Sequence, residues 1–211
     1  MVSEALQSAL VSGLSSLSIT VSDRQTEQLL DYLSLLIKWN RAYNLTAVKE
    51  PLEMVRKHLL DSLAISPWVQ EGDLLDVGAG AGLPGIPLAI IKPNLSVDLV
   101  DSAGKKVRFL HEVRRQLALP NVQAHHCRVE ALAGKREFQQ IVSRAFASLD
   151  HFIQLTEPLL SADGRWLAMK GRSHGDEVAN LKAKVQVVAN EPIVVPQLDE
   201  VRALVVLQKA F

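Results

Sequence analysis

The sequence has little of what secreted, disulfide-stabilised or membrane proteins need. Cys127 is its only cysteine, so no internal disulfide can form. The first ten residues contain Glu4 and neither Lys nor Arg, whereas a secretory signal begins with basic residues before an apolar run. Every apolar run is shorter than the roughly 20 residues that span a bilayer. We therefore expect a soluble, cytoplasmic protein.

The sequence also lacks net charge, because 23 basic residues balance 23 acidic ones. Overall charge therefore gives no indication of a nucleic-acid partner. Basic residues do collect locally, and Lys105, Arg108 and Arg115 share one face of a predicted helix. That face is either a phosphate-binding surface or ordinary solvated charge. Lys170 and Arg172 are further candidates for contacts to RNA, with the same alternative.

The first 65 residues are predicted to be helical. Ser22 and Gln25 form a capping-box pattern, and leucines recur at helical spacing behind it as far as about Trp39. A second helical run begins at Pro51 and reaches about Leu63. We predict a helical extension over residues 1–65, which precedes a domain over residues 66–211 and forms one compact unit with it.

From residue 73 onward, short β-rich runs alternate with helical runs, which is typical of a parallel sheet with crossover helices. The predicted strands are 74–77, 97–100, 122–126, 141–143 and 166–169, and two late runs at 185–189 and 202–208 bring the count to seven. The predicted helices of this part are 86–91, 105–117 and 149–160. The fold class is therefore α/β and Rossmann-like, with a seven-stranded, mostly parallel sheet.

A glycine-rich loop follows the first predicted strand. Gly78, Gly80 and Gly82 stand at alternating positions, where glycine permits positive φ and leaves no Cβ in the way of a ligand. An ordinary tight turn needs only one or two glycines. The loop therefore predicts a close approach of the backbone to a bound nucleoside, with Gly78 and Gly80 as candidate contacts.

The same loop also satisfies the G-x-G-x-x-G pattern of nicotinamide-binding domains, through Gly80, Gly82 and Gly85. Asp101 lies about 20 residues farther on, as that pattern requires. A pyrophosphate needs free backbone N–H groups at the start of the helix, however, and Pro84 and Pro87 have none. This favours a ligand without a pyrophosphate, such as S-adenosylmethionine.

Five polar or loop residues extend the predicted cofactor site. Asp101 is assigned to the ribose hydroxyls, with capping of the next helix as the alternative. Asp76 lies near the methionine end or orients the loop through backbone N–H groups. Val129 and Glu130 follow the third strand, where their backbone groups would read adenine or simply begin a helix. Arg144 ends the fourth strand and is either above the ligand crevice or a surface arginine.

Several patterns of other chemistries are missing. No Asn-Pro-Pro-aromatic motif follows the fourth strand, as methylation of exocyclic base amines usually requires, and no Pro-Cys nucleophile for cytosine C5 is present. His125 and His126 are adjacent on a predicted strand and point to opposite faces, so no metal site is expected. Cys127 is interpreted as a small buried apolar residue.

Several segments together resemble the bacterial small-subunit ribosomal RNA methyltransferase G family, also called glucose-inhibited division protein B. The resemblance covers nearly the whole chain. It is carried by Lys38-Trp39-Asn40-Arg41-Ala42-Tyr43-Asn44-Leu45-Thr46, Arg56-Lys57-His58, Leu60-Asp61-Ser62, the run from Asp76-Val77-Gly78 through Gly85-Ile86-Pro87-Leu88, Asp101-Ser102, Lys105 to Leu110, Arg128-Val129-Glu130, Ser143-Arg144-Ala145-Phe146-Ala147, Lys170-Gly171 and Leu204-Val205-Val206.

This resemblance implies a class I methyltransferase that uses S-adenosylmethionine to methylate N7 of a guanine in 16S rRNA, at position 527 in the usual rRNA numbering. It implies that Gly78 and Leu83 lie against the cofactor, with Val129 and Glu130 at the adenine and Arg144 beside them. The implied partner is 16S rRNA, within the small ribosomal subunit, and neither a metal nor a membrane is expected.

Guanine N7 has an in-plane lone pair and no proton to lose, so methyl transfer needs alignment more than a general base. We therefore expect no catalytic acid or base residue. Two other functions stay open from the residues alone. One is a nicotinamide-dependent oxidoreductase, and the other is a non-catalytic RNA-binding module.

Overall fold

A computed structural model of the protein describes residues 4–144, 146, 148–171 and 174–210. The chain begins with α1 (Glu4–Ser16) and α2 (Asp23–Tyr43). The capping box at Ser22 and Gln25 is confirmed, with both reciprocal hydrogen bonds present. Helix α2 continues past the predicted end near Trp39 until Asn44, which takes a left-handed conformation at φ 48°.

The second helical run contains a wider turn that the sequence pattern does not predict. It consists of α3 (Pro51–Met54), a π-helical segment (Val55–Leu60) and α4 (Asp61–Leu63), and a short 3₁₀ turn (Ser66–Trp68) follows. Within the π-helical segment the Asp61 N–H reaches back to the Arg56 carbonyl. The Lys57 carbonyl, which an α-helix would pair with that N–H, is therefore available to another donor.

The sheet has the seven strands that the sequence predicts. The strands are β1 (Gly72–Val77), β2 (Leu95–Asp101), β3 (Val122–His126), β4 (Phe138–Ser143), β5 (Leu160–Lys170), β6 (Val185–Ile193) and β7 (Arg202–Lys209). Their order is β3-β2-β1-β4-β5-β7-β6. The first five strands pair in parallel, and β7 is antiparallel to both β5 and β6. The mostly parallel Rossmann-like sheet is thus confirmed.

Helices cover both faces of this sheet. They are α5 (Gly85–Ile91), α6 (Gly104–Gln116), α7 (Leu149–Thr156) and α8 (His174–Ala179), of which α8 was not predicted. Short 3₁₀ turns occupy Val129–Leu132 and Glu157–Leu159. One apolar cluster joins α5 and α6 to the N-terminal helices, and a second cluster joins α7 to the opposite face.

The helical extension shares its core with the sheet domain. Leu10, Leu36 and Leu59 belong to the same buried cluster as Leu88 and Leu110. The Tyr32 hydroxyl, which is fully buried, donates to the Ala81 carbonyl of the glycine loop at 2.7 Å. The extension therefore supports the loop directly. The boundary between residues 1–65 and 66–211 stays a prediction.

Among the described residues, no helix combines the length and the apolar character needed to cross a membrane.

Candidate functional site

The glycine loop leaves the carboxyl end of β1 with a backbone that only glycine adopts easily. Gly78, Gly80 and Gly82 have φ values of 68°, 61° and 89°. A Cβ atom at Gly78 would have no protein neighbour within 4 Å, so the space beside this residue is open. At Gly85 an added Cβ would instead overlap the side chains of Leu99 and Asp76, because α5 packs closely on β2 there.

Most backbone N–H groups of this loop are already used within the protein. The Val100 carbonyl accepts the N–H groups of Gly78 and Ala79, and the Ala79 carbonyl accepts those of Gly82 and Leu83. The carboxylates of Asp101 and Asp76 accept the N–H groups of Gly80 and Gly85, respectively. A bound pyrophosphate would have to displace these bonds. The loop geometry therefore disfavours the nicotinamide alternative.

Asp76 holds the loop from beneath. Its side chain is fully buried, and Oδ2 accepts the Gly85 N–H at 2.9 Å, while Oδ1 has no hydrogen-bond partner among the described residues. Burial raises the pKa of this carboxyl to about 7, against the opposing effects of the Gly85 N–H and of Arg144. The Gly85 contact is of the kind that the second predicted role of Asp76 requires, orientation of the loop, and the choice between its two roles stays a prediction.

Asp101 joins the loop to the next helix. Its Oδ2 accepts the Gly80 N–H at 3.0 Å and lies 3.3 Å from Lys106 Nζ, and its Oδ1 accepts the Ala103 N–H at 2.8 Å. The Ala103 contact is a turn that precedes α6 and not the helix cap that was the alternative to ribose binding, because Ala103 is the N-cap residue and α6 has no side-chain cap. Because Asp101 also lines the pocket described next, the ribose role stays a prediction.

A first pocket of about 350 Å³ lies at the carboxyl ends of β1, β2 and β3. Four of the predicted cofactor residues line it, namely Gly78, Asp101, Val129 and Glu130. Two basic side chains, Lys106 and Arg128, balance the two carboxylates of this lining. Phe146 and His151 form an aromatic wall, with ring centroids 5.9 Å apart. The first pocket is thus electrically balanced and has an aromatic wall whose two rings are inclined by 58°.

Gly80, Leu83 and Cys127 are not placed as the sequence predicts. Gly80 and Leu83 are part of the loop but do not line the first pocket, and Leu83 is 4% exposed. Their proximity to the cofactor stays a prediction. The interpretation of Cys127 as a buried residue is wrong, because Cys127 is half-buried and contributes to the wall of the first pocket.

Arg144 lines a second pocket, of about 440 Å³. Its Nη1 donates to the Lys57 carbonyl at 3.0 Å, the acceptor made available by the π-helical segment, and lies 3.3 Å from Asp61 Oδ2. Arg202 Nε donates to the other oxygen of Asp61 at 3.0 Å. Lys170, which also lines the second pocket, donates to the carbonyl of Phe146 in the wall of the first.

Buried Asp61 therefore fixes two guanidinium groups that the chain brings from distant strands. Burial raises the pKa of Asp61, while Arg144 and Arg202 act in the opposite direction. Counting Lys57, Lys170 and Glu200, the lining of the second pocket has four basic side chains against two carboxylates. The second pocket therefore has an excess of positive charge, which the first pocket does not have.

The predicted RNA-binding residues of α6 are exposed but differ in their contacts. Lys105 Nζ donates to the Tyr43 carbonyl at 2.8 Å, and the Arg108 guanidinium lies 6.0 Å from the centroid of the Tyr43 ring. Arg115 makes two hydrogen bonds to Glu112, at 3.0 and 2.9 Å.

Lys170, by contrast, is mostly buried and pairs with Glu177 at 2.8 Å. Arg172 lies outside the described residues.

Sequence reasoning named His58 and Asp61 only within segments that carry the family resemblance and Arg202 only as the start of a predicted strand, and it gave them no role, because nothing in the spacing of these residues shows that they meet. No group of three potential metal ligands was found among the described residues. His125 contacts Asp98 at 2.6 Å and His126 contacts the Ser102 carbonyl at 3.2 Å, so the two rings have different partners.

Comparison with known proteins agrees with this geometry. The family model described as GidB, rRNA small subunit methyltransferase G, matches residues 25–205. The ribosomal RNA small subunit methyltransferase G of Ectopseudomonas mendocina is 51% identical over 203 residues, covering 95% of each chain. The protein of that name from Stutzerimonas stutzeri is 47% identical over 211 residues, covering 99% of this chain and 98% of its own.

Solved structures with low identity share the fold. The glycopeptide N-methyltransferase MtfA complexed with S-adenosyl-L-methionine superposes with a TM-score of 0.61 at 11% identity, covering 72% of this chain and 95% of its own. Coclaurine N-methyltransferase bound to N-methylheliamine and SAH has a TM-score of 0.61 at 12% identity, covering 98% and 94%. Since a family model and relatives near half identity both span most of the sequence, the chain belongs to the rRNA small subunit methyltransferase G family.

Proposed function

We propose that this protein transfers the methyl group of S-adenosylmethionine to N7 of a guanine in 16S rRNA. The observation that carries the proposal is the pairing of the two pockets. An electrically balanced pocket at the glycine loop is joined to a pocket with excess positive charge by the hydrogen bond from Lys170 to the Phe146 carbonyl. The first suits a nucleoside cofactor, and the second suits the phosphates and base of a polynucleotide.

The first pocket fits S-adenosylmethionine. The open space at Gly78 admits the ligand against the backbone, and the Phe146 ring in the pocket wall offers an aromatic face to a purine. Asp101 would accept from the ribose hydroxyls, and Val129 and Glu130 would border the adenine. S-adenosylmethionine supplies an activated methyl group on a cationic sulfonium. The contact between Arg144 and the cofactor stays a prediction, because the partners of Arg144 lie at the second pocket.

The proposal assigns no general base, since N7 has a lone pair and no proton to remove. The protein's contribution is alignment of the acceptor with the methyl group. The loop, held by Asp76 and Asp101 from inside, fixes the cofactor side of that alignment. The buried Asp61 fixes Arg144 and Arg202 on the acceptor side.

We also propose that the small ribosomal particle is the better substrate than free 16S rRNA. A chain with no net charge has limited long-range attraction for RNA and gains from a preformed surface. Methylation rates on naked 16S rRNA and on small subunits, measured at equal RNA concentration, compare the two. A higher rate on naked RNA would contradict this part of the proposal. The cytoplasm as the location stays a prediction that agrees with this substrate.

The product tests the assignment of N7. Methylation there gives the base a fixed positive charge and weakens its glycosidic bond, so borohydride followed by aniline should cleave the RNA at that nucleotide. RNA from cells without the protein should have one cleavage site fewer in 16S rRNA, and purified protein with S-adenosylmethionine should restore it. Methylation of the RNA without a new cleavage site would reject N7 and leave only an rRNA methyltransferase.

A further inference from the structure

Lys170 ends β5, and its ammonium group is bound within the protein. Its side chain is only 8% exposed, and Nζ donates to the Phe146 carbonyl at 3.1 Å and to Glu177 Oε2 at 2.8 Å. A buried charge is costly unless it is paired and hydrogen-bonded, and this ammonium group is both. Although Lys170 lines the second pocket, its donors are therefore engaged on the protein side.

Glu177, on α8, extends this ion pair to the beginning of α7. The same oxygen, Oε2, accepts the N–H of Leu149 at 3.1 Å, and Leu149 is the first residue of α7. The first N–H groups of a helix have no acceptor within the helix, and a negative charge is favourable at that end. The Lys170–Glu177 pair therefore connects β5 both to Phe146 and to α7.

The parts that this pair connects form one wall of the first pocket. Phe146, His151 and Leu155 line that pocket, and the last two belong to α7. The Phe146 ring also packs against Phe152 of α7, with centroids 5.1 Å apart. Phe146 lies between β4 and α7, and within the described part of the chain its only hydrogen bond is the one from Lys170. The pair therefore determines where the Phe146 backbone lies relative to α7.

The other side of the first pocket does not depend on this pair. Gly78 is held by the Val100 carbonyl, and Asp101 is held by the N–H groups of Gly80 and Ala103. A contact between an aromatic ring and a base depends on the distance and angle between them. A displaced Phe146 would therefore weaken the contact to a bound base and leave the glycine loop in place.

We infer that the Lys170–Glu177 pair positions the Phe146 ring against the adenine of the cofactor, and that Lys170 makes no contact to an RNA phosphate. The inference rests on the proposed function, because it takes the first pocket as the S-adenosylmethionine site. Lys170 is then a positioning residue that acts through Phe146. Its loss should weaken binding of the adenine part of the cofactor and leave the salt dependence of RNA binding unchanged.

Lys170→Met tests the pair, because it keeps the length of the side chain and removes both hydrogen bonds. S-adenosylhomocysteine should bind about 3- to 10-fold more weakly in calorimetry, the usual effect of a lost hydrogen bond. Lys209→Met is the matched control, because Lys209 is half-buried, donates to the Leu160 carbonyl at 2.7 Å and lines neither pocket. This control should bind S-adenosylhomocysteine like the wild type. Equal affinities of the two variants would overturn the inference.

Two fragments of the cofactor separate positioning from general damage to the pocket. Adenosine keeps the base and lacks the amino acid, so its affinity for Lys170→Met should fall by the same factor of about 3 to 10. S-ribosylhomocysteine lacks the adenine, so its affinity, measured by competition with S-adenosylhomocysteine, should equal that of the wild type. A similar loss for both fragments would indicate a structural effect and overturn the inference.

RNA binding tests the second half of the inference. The slope of log affinity against log salt concentration, measured with small ribosomal subunits, should be the same for Lys170→Met and the wild type. A slope smaller by about 1 would indicate a phosphate contact of Lys170 and overturn the inference.

Two provisions keep the outcomes distinct. If Lys170→Met does not fold, Glu177→Ala replaces it, because the Glu177 side chain is more exposed, at 27%. An unchanged affinity of Glu177→Ala for S-adenosylhomocysteine would then overturn the inference. Failure of the wild-type protein to produce the borohydride–aniline cleavage site would instead reject the proposed function, and the cofactor measurements would still decide the inference.

Discussion

Replacement of Gly78 by alanine tests the glycine loop, because the chain contains a matched control. Gly78 and Gly134 both have positive φ, at 68° and 74°, and at neither would a Cβ atom meet another protein atom within 4 Å. Only Gly78 lines the first pocket. Gly78→Ala and Gly134→Ala therefore introduce the same backbone strain, and they differ in whether the added methyl group enters the space proposed for the cofactor.

The structure gives the expected magnitudes. A left-handed conformation costs a non-glycine residue about 1–2 kcal/mol, so the melting temperature of each ligand-free variant should fall by about 2–8 °C. Cofactor at 100 times its dissociation constant stabilises the wild-type protein by about 2.7 kcal/mol. A tenfold weaker affinity in Gly78→Ala reduces this stabilisation to about 1.4 kcal/mol at the same concentration, whereas Gly134→Ala should keep it in full.

Thermal unfolding with and without S-adenosylhomocysteine, combined with calorimetric titration, measures both quantities. Equal loss of stability with a loss of affinity confined to Gly78→Ala supports the first pocket as the cofactor site. If Gly78→Ala binds S-adenosylhomocysteine as tightly as Gly134→Ala, the open space beside Gly78 is not where the cofactor lies. The reasoning from loop geometry would then be refuted, whatever the protein's activity.

Three further predictions concern charged residues. Asp101→Ala should weaken S-adenosylmethionine binding by about 1.5–3 kcal/mol in calorimetry, and an unchanged dissociation constant in a folded variant would remove Asp101 from the ribose role. The pKa of Asp76 is raised to about 7, so the folded protein keeps a proton that the unfolded chain loses near pH 4. The free energy of unfolding of the wild-type protein should therefore fall as the pH rises from about 4 to about 7. In urea unfolding, the free energy of unfolding of Asp76→Asn should fall less over this pH range. An equal dependence on pH in the variant and the wild-type protein would contradict the raised pKa. Arg108→Ala should weaken RNA binding and reduce the slope of log affinity against log salt concentration by about 1. Arg115→Ala removes a guanidinium that is already paired with Glu112, so it should change this slope less. Equal effects of the two substitutions would leave α6 without a specific phosphate contact.

The sheet was predictable because its apolar runs are short and separated by turn residues. All seven strands were found, but their ends were not. Strand β5 begins at Leu160, whereas the predicted run begins at 166, because the residues between include Asp163 and Gly164, which are unfavourable in strands. The π-helical segment at Val55–Leu60 left no periodic signal, since a single wider turn shifts the helical pattern too little to be read from one sequence.

The two pockets were predictable to very different degrees. Gly78 and Asp101 follow adjacent strands closely, so the parallel-sheet rule that ligands bind at carboxyl ends brought them together. The second pocket depends on pairs such as Asp61 and Arg202, which are 141 residues apart and belong to a helix and an antiparallel strand. A lone aspartate and a lone arginine carry no spacing signal, and only the folded chain shows that they are partners.

The distribution of charge between the pockets follows from the chemistry proposed for them. A methyl transfer from a sulfonium to guanine N7 moves a positive charge from the cofactor to the base without creating an anion. Uncompensated cations beside the reacting atoms would oppose both binding of the cofactor and formation of the product. RNA nevertheless requires basic side chains nearby. The structure reconciles these demands by pairing Arg144 and Arg202 with the buried Asp61.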